Sequence, residues 1–321
     1  MRLFKSGGGD GWMSTKSDLE AEIRRIREDK AHGASWLSRA ALDVLRTMAE
    51  STPSDDADQL LGSLREAAKR LIAARPSMAP ITNVVARFLY ETEGLRGTPL
   101  PRFRRLAAEK ATALSEASMR ALTLTAENAA GLIRGKETVL TYSYSSTVLE
   151  TLIRSPEVRA IVSESRPLLE GRRLAAELAS RGGRPTLIID AAMARFAPRA
   201  DVALVGADSV LADGSVVNKV GTCLAALAAA DAGIPFYVAC ETSKFDVRSY
   251  LGRRPVLEEG DAAEVAEGLP GVEVRNPYFE VVPARLVTAV VTERGVMDME
   301  AIRSQMEEMS RCTRPLLKAE N

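Results

Sequence analysis

A chain of 321 residues that is 46% hydrophobic and 27% charged can bury a sizeable core and lies outside the compositions of disordered segments. Its 43 basic and 43 acidic residues cancel, which removes the general electrostatic case for nucleic acid or an anionic membrane, so any anion site must be local. Cys223, Cys240 and Cys312 have no metal-like spacing and His32 is the single histidine, so neither a metal nor a cofactor is expected, and the cysteine usage suits a reducing cytoplasm.

In chain order, the run GGGDG near the start reads as a flexible tail over residues 1–16. Residues 17–135 have a helical grammar. SDLEAEIRRIREDK, ASWLSRAALDVLRTMAE, ADQLLGSLREAAKRLIAA and the segment from Phe103 to Ala129 place apolar residues at i, i+3 and i+4, with Pro- and Gly-containing breaks between them. These predict an antiparallel helical domain.

From residue 136 to 321 the pattern changes to short β-branched runs alternating with helices. TVLTY, RAIVSE, PTLIID, VALVG, PFYVAC and LVTAVVT are predicted strands; STVLETLIR, PLLEGRRLAAELASR, GTCLAALAAADAG and AAEVAEGL are predicted helices. That alternation predicts an α/β fold with a mainly parallel sheet, Rossmann-like, behind the helical domain. The longest apolar window, CLAALAAADAGIPFYVAC, is interrupted by Asp231, Gly233 and Pro235, so no membrane span is expected.

Ligands of open α/β sheets bind beyond the carboxyl ends of the strands. The residues standing there are Ser143, Glu164, Asp190, Asp208, Glu241 with Lys244, and Glu293. One such polar residue is a cap or a turn; the whole set on one rim predicts a polar small-molecule site. Two turns resemble anion holders at helix starts: Ser145, Ser146 and Thr147 before one helix, and Asn218, Lys219, Gly221 and Thr222 before an alanine-rich one. Lys244 adds a cation on a third strand end. Plain N-capping is the alternative for each turn. An ordinary dinucleotide-binding reading fails, because the first strand-to-helix turn has no GxGxxG.

RPLLEGRRLAAELA, GADSVLADGSVVNKVGT, PFYVACETSKF and NPYFEVVPARLVTAVVTERGV, in that order, resemble the family that unites ribose 1,5-bisphosphate isomerase, methylthioribose 1-phosphate isomerase and the regulatory subunits of initiation factor 2B. The resemblance runs from about Ser17 to the C-terminus. It implies a helical domain joined to a Rossmann-like one, assembled as homo-oligomers (dimers or hexamers), with a phosphorylated sugar or nucleotide as ligand. It implies an acid at Asp208. It places ligand contacts at Gly33, Ala34, Ser35, Arg75, Ser145, Ser146, Thr147, Asn218, Lys219 and Lys244.

Two positions depart from the family pattern. The isomerases carry a proton-transferring cysteine in the turn where this chain has Ser143, and an arginine where it has His32. A thiolate forms near neutral pH beside a cation, whereas a serine alkoxide does not. Glu241 and Glu164 on the rim, and Cys240 one residue inside it, are the candidates for a replacement base, and each reads first as structural. Two functions follow from the resemblance. One is an aldose–ketose isomerase of the ribose 1,5-bisphosphate type, with Asp208 and Ser143 at its catalytic centre. The other is a non-catalytic regulatory subunit that senses a phosphosugar or nucleotide.

Overall fold

The computed structural model describes residues 16–29 and 32–318. The tail expected over residues 1–16 lies outside them except for Lys16, which opens the first helix.

Five helices come first: α1 (Lys16–Glu28), α2 (Ala34–Ser51), α3 (Ala57–Ala74), α4 (Ala79–Glu93) and α5 (Leu100–Ile133). Local chemistry sets their ends. The Asp56 carboxylate accepts from the Gln59 amide and starts α3, while Pro80 sits in the first turn of α4, where its missing N–H costs nothing. Apolar residues three and four apart face inward, such as Leu37, Ala41, Leu45 and Met48 of α2 and Leu60, Leu64, Ala67 and Leu71 of α3. Periodicity in the sequence does not single out α4. It packs against α2, α3, α5 and the C-terminal helix, so apolar residues cover most of its circumference and no single stripe stands out.

The α/β part begins with β1 (Thr138–Tyr142), α6 (Ser146–Ile153), β2 (Arg159–Ser163), α7 (Glu170–Ser180), β3 (Arg184–Ile188), α8 (Met193–Phe196) and β4 (Val202–Val205). Two short strands, β5 (Ser209–Val210) and β6 (Val216–Lys219), lead to α9 (Thr222–Asp231), β7 (Phe236–Ala239) and α10 (Val247–Tyr250). Then come β8 (Phe279–Val282), β9 (Ala289–Thr292), β10 (Gly295–Met297) and α11 (Met299–Lys318).

The main sheet has the order β10-β9-β7-β4-β1-β2-β3, parallel throughout except for β10. Every residue of β1 and β4 is buried, as expected of parallel strands covered on both faces. Alternation then sorts their side chains. Val139, Val202 and Leu204 join α5, α6 and α7 on one face; Leu140, Ala203 and Val205 join α8, α9 and α11 on the other. The expected fold class is therefore the observed one.

Two expectations need correction. AAEVAEGL forms only a 3₁₀ turn at Ala262–Glu264. Its apolar residues Val265 and Leu269 lie exposed with no surface to bury them, and Gly268 has a positive φ of 67°. SVVNK is not a turn but strand β6, the middle of an antiparallel sheet β5-β6-β8. That small sheet joins the two parts of the chain: Leu211, Val217 and Phe279 complete the core of the helical part, and α11 packs on α4.

Candidate active site

Strand β1 has β4 on one side and β2 on the other, so the chain leaves it in opposite directions and opens a crevice at its carboxyl end. The end of α1, the start of α2 and Arg75, just after α3, cover this crevice to leave a cavity of about 330 Å³, within the range of small-molecule sites. Of the residues predicted for the site, Gly33, Ala34, Ser35, Arg75, Ser143, Ser145, Ser146, Asp208, Asn218, Lys219 and Lys244 all line it. Thr147 does not.

The turn after β1 is held tightly. Ser143 takes a positive φ of 61°, and its amide donates to Ser165 Oγ at 2.8 Å. The loop carrying Ser165 is pinned in turn by Asp190, which accepts from Ser163 Oγ at 2.5 Å and from the Ser165 and Arg166 amides at 2.8 and 2.7 Å. Ser145 caps α6 by accepting from the Val148 amide. Gly206, after β4, has no side chain because Ser145 needs the space: a Cβ there would lie 2.5 Å from Ser145 Oγ. The two turns that form the crevice therefore touch, and glycine is what permits it.

The glycine of NKVGT is explained in the same way. Gly221 has a φ of +102°, and a Cβ on it would collide with the Tyr142 hydroxyl, which donates to the Val220 carbonyl at 2.7 Å. Burial, with the nearby Asp190 and Glu170 carboxylates, pushes the Tyr142 phenol up, so it stays a donor. The start of α9 is not an open anion site. Glu280 of β8 accepts from the Gly221 and Cys223 amides, both at 2.7 Å, and occupies that helix terminus. What this segment gives the cavity is the strand itself, through Asn218 and Lys219.

Thr147 also differs from expectation. Its fully buried hydroxyl donates to Glu241 Oε1 at 2.9 Å, and Ser35 Oγ donates to Oε2 of the same carboxylate at 2.9 Å. Glu241 thus ties α2, α6 and the end of β7 together, with Lys244 Nζ at 3.8 Å. Glu164 binds Arg172, Asp190 binds its loop, and Glu293 binds the Thr242 amide and hydroxyl. Each of these rim carboxylates is used inside the protein. Cys240 is fully buried, and burial pushes its thiol up. None of the three cysteines lines the cavity.

Asp208 is different. Its amide donates to Val217 O at 3.0 Å, but its carboxyl has no hydrogen bond or ion pair with any described residue. It keeps some exposure toward the cavity, yet the protein packed around it desolvates it. Burial raises its pKa above the usual carboxylate range; Lys244, Lys219 and Arg75 pull the other way, and Glu170 adds to the rise.

The cations around it are each engaged with an acid. Lys219 Nζ lies 2.8 Å from Glu170 Oε1 and 4.7 Å from the centre of the Tyr278 ring. Arg75 donates to the Arg27 and Asp29 carbonyls, while its Nε lies 3.9 Å from Glu258 and has no hydrogen-bond partner. His32 stands where the family pattern has arginine. Its Nδ1 is 2.8 Å from Asp29 Oδ2, and its ring stacks on Trp36 at 3.8 Å. Glu170, Glu258 and Tyr278 were not identified as site residues from the sequence. Glu170 and Tyr278 lie inside the motifs RPLLEGRR and NPYFE, but nothing local distinguishes them from helix and strand residues.

A switch-point crevice roofed by a helical unit places the chain among Rossmann-like α/β proteins with a helical N-terminal part. Residues 30–299 match the model of the initiation factor 2 subunit family, and the chain belongs to that family. It is 35% identical over 284 residues to a putative translation initiation factor eIF-2B subunit 2-like protein of Pyrococcus horikoshii, covering 86% of this chain and 94% of that one. It is 32% identical over 304 residues to a ribose 1,5-bisphosphate isomerase of Haloferax volcanii, covering 91% and 93%. Among solved structures, 5-methylthioribose 1-phosphate isomerase of Pyrococcus horikoshii superposes with a TM-score of 0.74 at 25% identity, over 91% of this chain and 87% of that one. Isomerases therefore stand among its relatives, beside proteins named for translation initiation. No helix among the described residues is long and apolar enough to cross a membrane.

Proposed function

We propose that the protein is an aldose–ketose isomerase acting on a sugar 1-phosphate of the ribose 1,5-bisphosphate type, within a homo-oligomer. The observation that carries this reading is Asp208: a desolvated carboxyl with a raised pKa, left unpaired in a cavity whose other rim acids are bonded to protein. A carboxyl of that kind remains protonated where an exposed one would not, and so can give a proton to the ring oxygen as the sugar opens. Lys219, Lys244, Arg75 and the start of α6 surround it with positive potential suited to phosphate groups. Cation-bearing walls on more than one side favour a bisphosphate over a sugar with an apolar tail.

A second reading, a non-catalytic subunit that senses a phosphosugar or nucleotide, rests on Ser143. Its turn holds a hydroxyl where the isomerases hold a thiol, and no cysteine reaches the cavity to replace it. The test is incubation with ribose 1,5-bisphosphate in deuterated water, following ketose formation and label uptake on carbon. Ketose formation with carbon-bound label supports the isomerase. Thermal stabilisation by the same ligand without any turnover sinks it and leaves the sensor.

A further inference from the structure

Isomerisation needs a base as well as an acid, and Ser143 does not supply one. The acids and the histidine lining the cavity can be taken in turn. Asp29 and His32 are bonded to each other. Glu258 accepts from Ser77 Oγ at 2.7 Å, Glu259 is paired with Arg275, and Asp261 caps the Ala263 amide, all on the loop between α10 and β8. Glu170 remains. It is the first residue of α7, which follows β2, while Asp208 follows β4. Strand β1 lies between β2 and β4, and both carboxyls line the cavity at its carboxyl end.

Glu170 Oε1 is paired with Lys219, whereas Oε2 is closed off from solvent and accepts no hydrogen bond. An unsatisfied, dry carboxylate oxygen is costly for stability. It is also an oxygen for which water does not compete, and so a strong base once the carboxylate is freed toward the cavity. Lys219 is a natural phosphate ligand, and its departure from Glu170 toward an incoming phosphate would free the whole carboxylate beside the bound sugar.

We propose that Glu170 is the catalytic base, in the role for which the related isomerases have their cysteine; this rests on the isomerase reading above. In the first step Glu170 takes the proton from C2. The C2–H electron pair forms the C1=C2 bond, the bond from C1 to the ring oxygen breaks, and that oxygen takes the proton of Asp208. The product is an open-chain enol phosphate. In the second step the C2 hydroxyl gives its proton back to Asp208, C2 becomes the carbonyl, and C1 takes the proton held by Glu170. Both carboxyls return to their starting states; the sugar has opened its ring C1–O bond and passed the two hydrogens of C2–H and O2–H to C1 and the ring oxygen.

The test is Glu170→Gln, measured for turnover of ribose 1,5-bisphosphate and for ligand-induced thermal stabilisation, alone and together with Ser143→Cys. Turnover is expected to fall at least ~100-fold, the scale of a lost general base, with ligand binding kept within a few-fold. Adding the thiol should recover at least ~10-fold of the loss, because it supplies a base from the neighbouring turn. If Glu170 only positions Lys219, the variant instead loses affinity and the thiol recovers nothing, which overturns the proposal. Turnover lost in His32→Gln but kept in Glu170→Gln overturns it in favour of the imidazole. Wild-type turnover with a fully active Glu170→Gln removes the base role alone. A wild-type chain without turnover removes the isomerase reading and the base role together. Should Glu170→Gln fail to fold, Glu170→Asp, one methylene shorter, is expected to lower kcat with KM unchanged.

Discussion

Strands β4 and β7 are parallel neighbours, and each ends in an acid. Glu241, after β7, is fully enclosed and its two oxygens accept from Ser35 and Thr147. Asp208, after β4, accepts from no described residue and faces the cavity. The same residue class at the same place in the fold thus meets two environments, set by what lies opposite. Hydroxyls from α2 and α6 convert Glu241 into a joint between the helical part and the sheet. The absence of such donors leaves the Asp208 carboxyl open to the cavity.

This contrast can be broken at three points, from the largest expected effect to the smallest. Asp208→Asn is expected to lower turnover by about 10³-fold with ligand-induced stabilisation kept, as for loss of a general acid; a parallel loss of binding would make Asp208 a ligand and not an acid. The same variant should be more stable than wild type at neutral pH. A carboxyl whose pKa is raised on folding binds its proton more tightly in the folded state, so stability falls as pH rises from the ordinary carboxylate range through the raised value. Asparagine removes that penalty, and melting temperatures of the two proteins should converge at low pH.

Glu241→Ala should do the opposite, costing about 3–5 kcal/mol because a buried acid's partners lose their acceptor and Lys244 loses its neighbour. Chemical denaturation would show it; a loss under ~1 kcal/mol would mean that the joint does not bear on stability. Thr147→Val, which keeps the shape and removes one donor, should cost about 1–3 kcal/mol and leave ligand affinity unchanged. A large drop in affinity with stability intact would return Thr147 to the cavity wall, where the resemblance had put it.

The layered fold was legible because its signals are local. Period-3.6 stripes mark α1 to α3, and continuous β-branched runs mark the strands buried on both faces. The antiparallel sheet β5-β6-β8 was missed because its strands are only two to four residues long and lack a clean alternation. AAEVAEGL misled for the converse reason: its composition favours a helix, but no surface lies beneath it. In the site, the residues named from motifs line the cavity except Thr147, whereas the partner of each acid was invisible. Ser35 and Glu241 are 206 residues apart, and no one-dimensional pattern reports that pairing. The same blindness hid Glu170, whose position depends on the strand order.

The contact of α11 with α4 has a bearing on how the molecule is made. The helical part takes Leu211, Val217 and Phe279 into its core and receives α11 on α4, so it cannot finish packing when its own five helices leave the ribosome. Synthesis proceeds from the N-terminus, and contacts of such long sequence separation form late. The helical unit that roofs the cavity therefore completes its packing only once α11, the last helix, has been made.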